Sequence, residues 1–300
     1  MRLHRGIDET REGPLALTIG SFDGVHLGHQ ALIRHTLQVA KQQGLTAALL
    51  TFDPLPRLVL NGQPILTTIT EKVEQVAALG MEAMIVEPFN TSLAALTPPE
   101  FCRYLATLPL RIIIVGEDFR FGRGGKGGAS DLVSTGAQVE TFQLLSPDSQ
   151  PVHSSRIREC LVQGDVDSAA RLLGRPYRIS GRVVPGEGRG RTVGYPTANV
   201  EVHPHKLLPR GVFAVQVGAL GKSYGGMLNI GTRPTFGGQS LAVEVHLFDF
   251  SGDLYNQELK LDLIHWLRSE QRFASAGELL AQLQCDEQAA RQRLAVPPGQ

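Results

Sequence analysis

The chain has 300 residues, with 29 Lys plus Arg against 29 Asp plus Glu, so its formal net charge is zero. That balance argues against bulk binding of a polyanion such as DNA and leaves room for a local phosphate pocket. Cys102, Cys160 and Cys285 are few, odd in number and far apart, which fits neither a disulfide framework nor a CxxC zinc site and suits a reducing cytosol. The opening MRLHRGIDETREG is charged throughout, and no apolar run reaches membrane-spanning length. The expectation is a cytoplasmic protein of one large domain or two ordinary ones, with no nucleic-acid or membrane partner.

The first half alternates strand and helix patterns. LALTIGS (15–21), LTAALLTF (45–52), EAMIVEPF (82–89), RIIIVGE (111–117) and VETFQLL (139–145) read as strands. Between them HQALIRHTLQVAKQQG, TEKVEQVAALG and PPEFCRYLATL carry apolar residues at helical spacing. Thr68 with Glu71 reads as a capping box, and Gly44 and Gly80 as helix stops. Such alternation predicts a parallel, doubly wound sheet. Two short helices follow, SSRIRECLVQG and DVDSAARLLG.

Near Gly174 the pattern changes. YRISGRVV, GVFAVQVGAL, KSYGGMLNI, LAVEVHLFDF and ELKLDLIHWL are short strands among Gly-rich turns, which predicts a small β-barrel. ASAGELLAQLQCDEQAARQRL reads as a terminal helix before a Pro/Gly tail expected to fray. The domains are therefore placed at 1–174 and 175–300.

The motifs point to phosphate chemistry. GSFDGVHLGH (20–29) lies between a buried strand and a helix, where doubly wound sheets bind nucleotides. The free N–H groups of that helix suit a phosphate, and Gly28 allows close approach. His26 and His29 can donate hydrogen bonds to a phosphorus centre gaining charge, or serve merely as helix caps. The literal GxGxxG at Gly122, Gly124 and Gly127 comes too late after its strand and reads as a flexible loop. In GEDFRFG (116–122), Asp118 and Arg120 either face a ligand or form a surface ion pair. HSSRIRE (153–159) sets Arg156 and Arg158 beside Ser154 and Ser155, as a triphosphate clamp or an N-cap.

In GRVVPGEGRGRTVGYPTAN (181–199) the Gly-rich stretch can form an anion-binding nest. Thr197 and Asn199, two apart on an extended segment, face one side, and their neutral oxygens together with phosphates suit Mg²⁺. Glu244, between valines, points opposite to them and can act as a general base, though a lone strand Glu is also a common solvated edge residue.

Together these residues resemble the bacterial bifunctional riboflavin kinase/FAD synthetase family. The resemblance covers nearly the whole chain: GSFDGVHLGH, TFDP, GEDFRFG, SSRIR, GRVV…GRTVGYPTAN, NIGTRPTF, VEVHLFDF with DLY, and RSEQRF, in that order. It implies a Rossmann-like nucleotidyltransferase domain followed by a six-stranded barrel kinase. The barrel would move the ATP γ-phosphate to riboflavin, giving FMN, and the first domain would join FMN to AMP from a second ATP, releasing pyrophosphate. His26 and His29 would then serve adenylyl transfer. Gly20, Phe22, Asp23, Gly28, Ser154, Ser155 and Arg158 would bind ATP in the first domain, and Gly181, Gly190 and Arg191 in the barrel. Asp118, Asn229, Thr232 and Arg233 would lie at the flavin, Thr197 and Asn199 would hold Mg²⁺, and Glu244 would be the base. Riboflavin, FMN and ATP are the implied partners, for a monomer or weak oligomer.

Three positions depart from the family's usual pattern. Leu55 stands where many members have His, His153 replaces the first serine of the SSTRIR-like run with Ser155 at the usual Thr, and Asn256 follows DLY in place of Gly. Leu55 keeps open a single-activity riboflavin kinase with a weakened first domain. A flavin carrier without turnover and a nicotinamide oxidoreductase also compete.

Overall fold

A computed structural model describes residues 1–143, 152–186, 190, 194–235 and 238–295, with the backbone alone at 233–235 and 238–240. Two compact units divide the chain, Met1–Ser154 and Ser155–Gln300.

The first unit is a six-stranded parallel sheet. Its strands are β1 (Arg2–His4), β2 (Leu15–Ile19), β3 (Thr46–Asp53), β4 (Ala83–Pro88), β5 (Leu110–Gly116) and β6 (Gln138–Phe142), in the order β1-β4-β3-β2-β5-β6. Helices α1 (Leu27–Gln43), α2 (Pro56–Asn61), α3 (Ile69–Ala78), α4 (Thr91–Ala95) and α5 (Pro98–Leu105) connect them. Every residue of β2 is buried, because a central parallel strand is covered on both faces. Leu15, Leu17 and Ile19 enter the core with Phe101, Leu105 and Ile113. Ala16 enters the opposite core, with Ile33, Leu49 and Met84. That is the two-residue period of a strand.

The capping box forms: Glu71 N–H donates to Thr68 Oγ1 at 3.2 Å, and Thr68 N–H to Glu71 Oε2 at 3.0 Å. Gly44 closes α1 at a φ of 64°. β1 is not expected from the sequence; its three residues pair with the edge of β4, too short a stretch to show a period. The GxGxxG stretch, expected to be a flexible loop, is a turn closed by reciprocal backbone bonds between Phe121 and Gly127 of 3.1 and 2.9 Å.

The second unit opens with α6 (Ser154–Val162) and α7 (Val166–Leu173). Strands β7 (Tyr177–Val184), β8 (Ala198–Val202), β9 (Gly211–Ala219), β10 (Lys222–Thr235), β11 (Gly238–Leu247) and β12 (Glu258–Arg268) close into a barrel in the order β10-β11-β8-β7-β12-β9. Helix α8 (Ala276–Ala295) follows. The compact units divide earlier than the join expected at 174/175, because α7 packs on β7 and β12 and Asp167 bonds His265 at 3.0 Å. Asn256 adopts a φ of 62°, the conformation its turn requires. Among the described residues no helix is long and apolar enough to cross a membrane.

Candidate active sites

In the first unit β2 pairs with both β3 and β5, so the strand order reverses there. A crevice opens beyond the carboxyl ends of strands at such a reversal. GSFDGVHLGH leaves β2 at that point and GEDFRFG leaves β5 beside it. The turn between β2 and α1 is tight: Phe22, Gly24 and Val25 have φ values of 46°, 87° and 40°. Its conformation is held from several sides. The buried Asp23 carboxylate accepts from Leu66 N–H at 2.9 Å and Thr67 N–H at 3.0 Å, and Gly24 N–H donates to Thr67 Oγ1 at 3.0 Å. Asp23 thus holds the turn from behind. Gly20 leaves β2 with its N–H on the Leu50 carbonyl, and Phe22 is buried under the His29 ring.

The two histidines take different parts. His26 is the N-cap of α1, its Nδ1 accepting from His29 N–H at 3.3 Å. An accepting Nδ1 places the proton of a neutral ring on Nε2, leaving that nitrogen as a donor. The His29 ring stacks on His26 with centroids 3.6 Å apart. Its Nδ1 is buried and makes no hydrogen bond among the described residues. Burial first, then the charges of His26, Lys72 and His153, holds His29 well below the usual imidazole range, so it is neutral. Gly28 is buried in the first turn of α1.

Ser154 Oγ donates to the Asp23 carbonyl at 2.8 Å. His153 Nδ1 lies 3.7 Å from the Asp118 carboxylate, so the histidine that departs from the family's run faces a residue assigned to the flavin. Arg120 turns back to its neighbour, donating to the Phe119 carbonyl at 2.9 Å. Leu55 is buried at the start of α2. Ser155, Arg156 and Arg158 lie on α6 and belong to the second unit.

In the barrel, strand register assembles what the sequence separates. Glu244 pairs with Asn199 on one side and Asn229 on the other. Paired residues share a face, so the three side chains form one row across β8, β11 and β10. Val243 and Val245 are buried and Glu244 is half-buried between them. His246 and Met227 share that row's face, and Met227 packs with Ala290 of α8, which places Glu244 on the outer barrel surface.

A pocket of about 730 Å³ is lined by Gly186, Thr197, Asn199, Val245, Leu247 and Tyr255 among others; of the row only Asn199 reaches it, and Glu244 and Asn229 do not line it. The expected pair, Thr197 and Asn199, thus meets at one cavity. Gly186 is tied to that arrangement: a Cβ on it would lie 1.9 Å from the Asn199 amide nitrogen. Gly190 lies against the Tyr195 carbonyl, and Gly181 sits mid-strand against the Glu201 carbonyl, away from the pocket. Arg191, the Arg233 side chain, residues 144–145 of the last strand pattern and the tail at 296–300 lie outside the described residues.

Two residues near these sites carry no role that the sequence suggests. Glu270, within RSEQRF, accepts from Thr232 N–H at 3.3 Å and lies directly on Gly231. Lys72 is buried under the two-histidine turn. A lysine on an amphipathic helix carries no sequence signal of burial.

A riboflavin kinase family model matches residues 173–294, and an FAD synthetase family model matches residues 8–157. The bifunctional riboflavin kinase/FMN adenylyltransferase of Listeria monocytogenes is 37% identical over 96% of this chain and 96% of its own. Proteins of the same description from Bacillus subtilis and Escherichia coli K12 are each 38% identical, over 91% and 97% of this chain and 90% and 97% of their own. A solved structure described as a macrolide-efflux protein from Streptococcus pneumoniae matches with a TM-score of 0.86 at 30% identity, over 96% of this chain and 98% of that one. With both halves matched and the order of motifs kept along its length, the chain belongs to the family of bifunctional riboflavin kinase/FMN adenylyltransferases.

Proposed function

We propose that the two units divide the two reactions of this family, phosphorylation of riboflavin to FMN in the barrel and adenylylation of FMN to FAD at the two-histidine turn. The chain is a riboflavin kinase and FMN adenylyltransferase, with ATP as co-substrate of both steps. The functional partition runs 1–174 and 175–300, with the SSRIR segment serving the first reaction. The protein works in the cytoplasm as a monomer or weak oligomer, with no nucleic-acid or membrane partner.

The observation that carries the kinase assignment is the row Asn199–Glu244–Asn229, which reaches the pocket through Asn199. Glu244 is the base that takes the proton from the riboflavin 5′-hydroxyl as it attacks the γ-phosphorus. Asn229, Thr232 and Arg233 lie along β10 and position the flavin. Thr197 and Asn199 present neutral oxygens at the pocket, a donor set that fits Mg²⁺ shared with phosphate oxygens. Bound there, Mg²⁺ would offset the charge of the ATP phosphates. Gly190 and Arg191 bring the Gly-rich loop to the same phosphates, while Gly181 supports the strand from which that loop departs.

In the first unit His26 Nε2 and His29 donate to the α-phosphate oxygens as FMN attacks, and pyrophosphate leaves. Arg158, Ser154 and Ser155 hold the departing phosphates, and Asp118 orients the flavin. The buried Leu55 removes one imidazole from the family's usual set but leaves both histidines of the turn in place. This favours two activities over a lone kinase.

Riboflavin, ATP and Mg²⁺ with the purified chain, products separated by chromatography, should give FMN and then FAD. Glu244→Gln keeps size and hydrogen bonding but is a far weaker proton acceptor. It should slow FMN formation roughly 10²–10⁴-fold, while FAD formation from supplied FMN proceeds at the parent rate. Parent-rate phosphorylation by the variant would remove the base assignment.

A further inference from the structure

Lys72 projects from α3 and is 1% exposed, among the most deeply buried charged residues of the chain. Its Nζ donates to the Ser21 carbonyl at 2.7 Å and to Thr51 Oγ1 at 3.1 Å. Both partners are neutral oxygens. Ser21 stands two residues from Asp23 in the turn that leads to His26 and His29, and Thr51 is on β3.

The carboxylates of Asp23, buried in the same turn, and of Asp53 stabilise this charge. Thr51 Oγ1 itself donates to the Ser21 carbonyl at 3.0 Å, so that carbonyl is satisfied without the lysine. An apolar side chain of similar length would fill the same space with no desolvation penalty of its own, but would leave the Asp23 carboxylate without this cation. A buried ammonium kept against that penalty has its effect on what lies above it. Above it lies the turn at the sheet's reversal point, where a polyanionic ligand meets backbone N–H groups and a helix N-terminus.

We propose that Lys72 is a positioning residue for adenylyl transfer: its ammonium fixes the Ser21 carbonyl and offsets the buried Asp23 carboxylate, so that the turn does not meet the ATP phosphates with a net negative charge. The inference rests on the assignment of adenylyl transfer to this unit. Field geometry supports it. The charge of Lys72 reaches His29, where it helps to keep the ring neutral. Burial lowers Lys72 itself from 10.5 to about 8, with Asp23 and Asp53 pulling the other way, so it remains charged at neutral pH. His29 is therefore a neutral hydrogen-bond donor in the field of a buried cation.

Three variants test this: Lys72→Met, Lys72→Gln, and Thr51→Val, which removes a bond to the same carbonyl and one of the two acceptors of the Lys72 ammonium. Lys72→Met leaves the buried Asp23 carboxylate without this cation and should melt below the parent temperature. In FAD formation from FMN it should raise the KM for ATP about tenfold, with a smaller effect on kcat. Riboflavin phosphorylation should not change. The His29 imidazole, followed by ¹⁵N NMR and assigned with His29→Gln, should titrate at higher pH in Lys72→Met and Lys72→Gln but not in Thr51→Val. Parent KM together with an unmoved His29 titration in either lysine variant would overturn the proposal. So would Thr51→Val reproducing the lysine variants in both readouts while ¹⁵N NMR still shows a charged Lys72 Nζ, since the anchor and not the charge would then matter; with Lys72 neutral, the same result would support it. If the unsubstituted chain made FMN but no FAD, the adenylyl assignment would fall by itself, and the His29 titration would still decide whether the Lys72 charge acts on the turn.

Discussion

His26 and His29 occupy one helical turn and do different things. His26 caps α1 through Nδ1, and that bond leaves Nε2 as the remaining donor of its neutral ring. His29 stacks on it with a buried Nδ1 that has no hydrogen-bond partner among the described residues. An unpaired buried nitrogen costs free energy in the ligand-free protein and is relieved when a ligand supplies the partner or reorients the ring. His29→Ala should therefore fold well and slow FAD formation by about 10²–10³, the usual loss for one preorganised donor at a charged transition state. Its riboflavin phosphorylation should match the parent, as read by the same chromatographic separation. Parent-rate FAD formation would mean that His29 only packs. Glu244 is the corresponding residue of the barrel, set by register between two asparagines.

At the scale of elements, α8 holds the kinase unit together from outside the barrel. Arg268, the last residue of β12, makes a bidentate pair with the buried Asp286, through Nε–Oδ1 at 3.0 Å and Nη2–Oδ2 at 2.8 Å. The next residue, Glu287, accepts from the Tyr195 hydroxyl at 2.9 Å, next to Pro196 and Thr197 at the pocket. Arg291 then bridges Glu287 and Asp249 at 2.8 and 2.9 Å, reaching the segment before the other pocket wall. Removing one partner of a buried pair leaves the other charge uncompensated. Asp286→Ala should destabilise the second unit by about 3 kcal/mol. The chain has one tryptophan, Trp266 on β12, so its fluorescence in urea reads this unit directly. The midpoint should fall, with FAD formation from FMN unaffected at temperatures where the barrel is still folded. An unmoved midpoint would show the pair to be solvent-screened.

At the scale of the whole molecule, two units with separate catalytic groups imply that FMN made by one chain can serve another. His29→Ala lacks the second reaction and Glu244→Gln the first. Mixed in equal amounts with riboflavin, ATP and Mg²⁺, they should form FAD after a lag in which free FMN accumulates. Neither variant alone should do so at a comparable rate. A mixture that makes FMN and no FAD would show that FMN does not pass between chains through solution.

Much of this was legible in residue order. Apolar runs alternating with helical periods specified the parallel sheet, because each βαβ unit must bury a strand on both faces and a helix on one. Short strands among glycine turns specified a barrel, and the ordered motifs identified phosphate chemistry in both halves. Those are local properties: period, capping and turn chemistry act over a few residues. Strand order was not local. The reversal at β2, which brings GSFDGVHLGH beside GEDFRFG, arises because β5 returns to pair with β2 and not beyond β4. Antiparallel register alone placed Asn199, Glu244 and Asn229 in one row, since their order along the chain says nothing about which residue faces which. Tertiary packing also decided that Asp23 would hold the segment before α3 and that Lys72 would point inward. A charged side chain enters a core only where long-range neighbours, here Ser21 and Thr51, supply its hydrogen bonds.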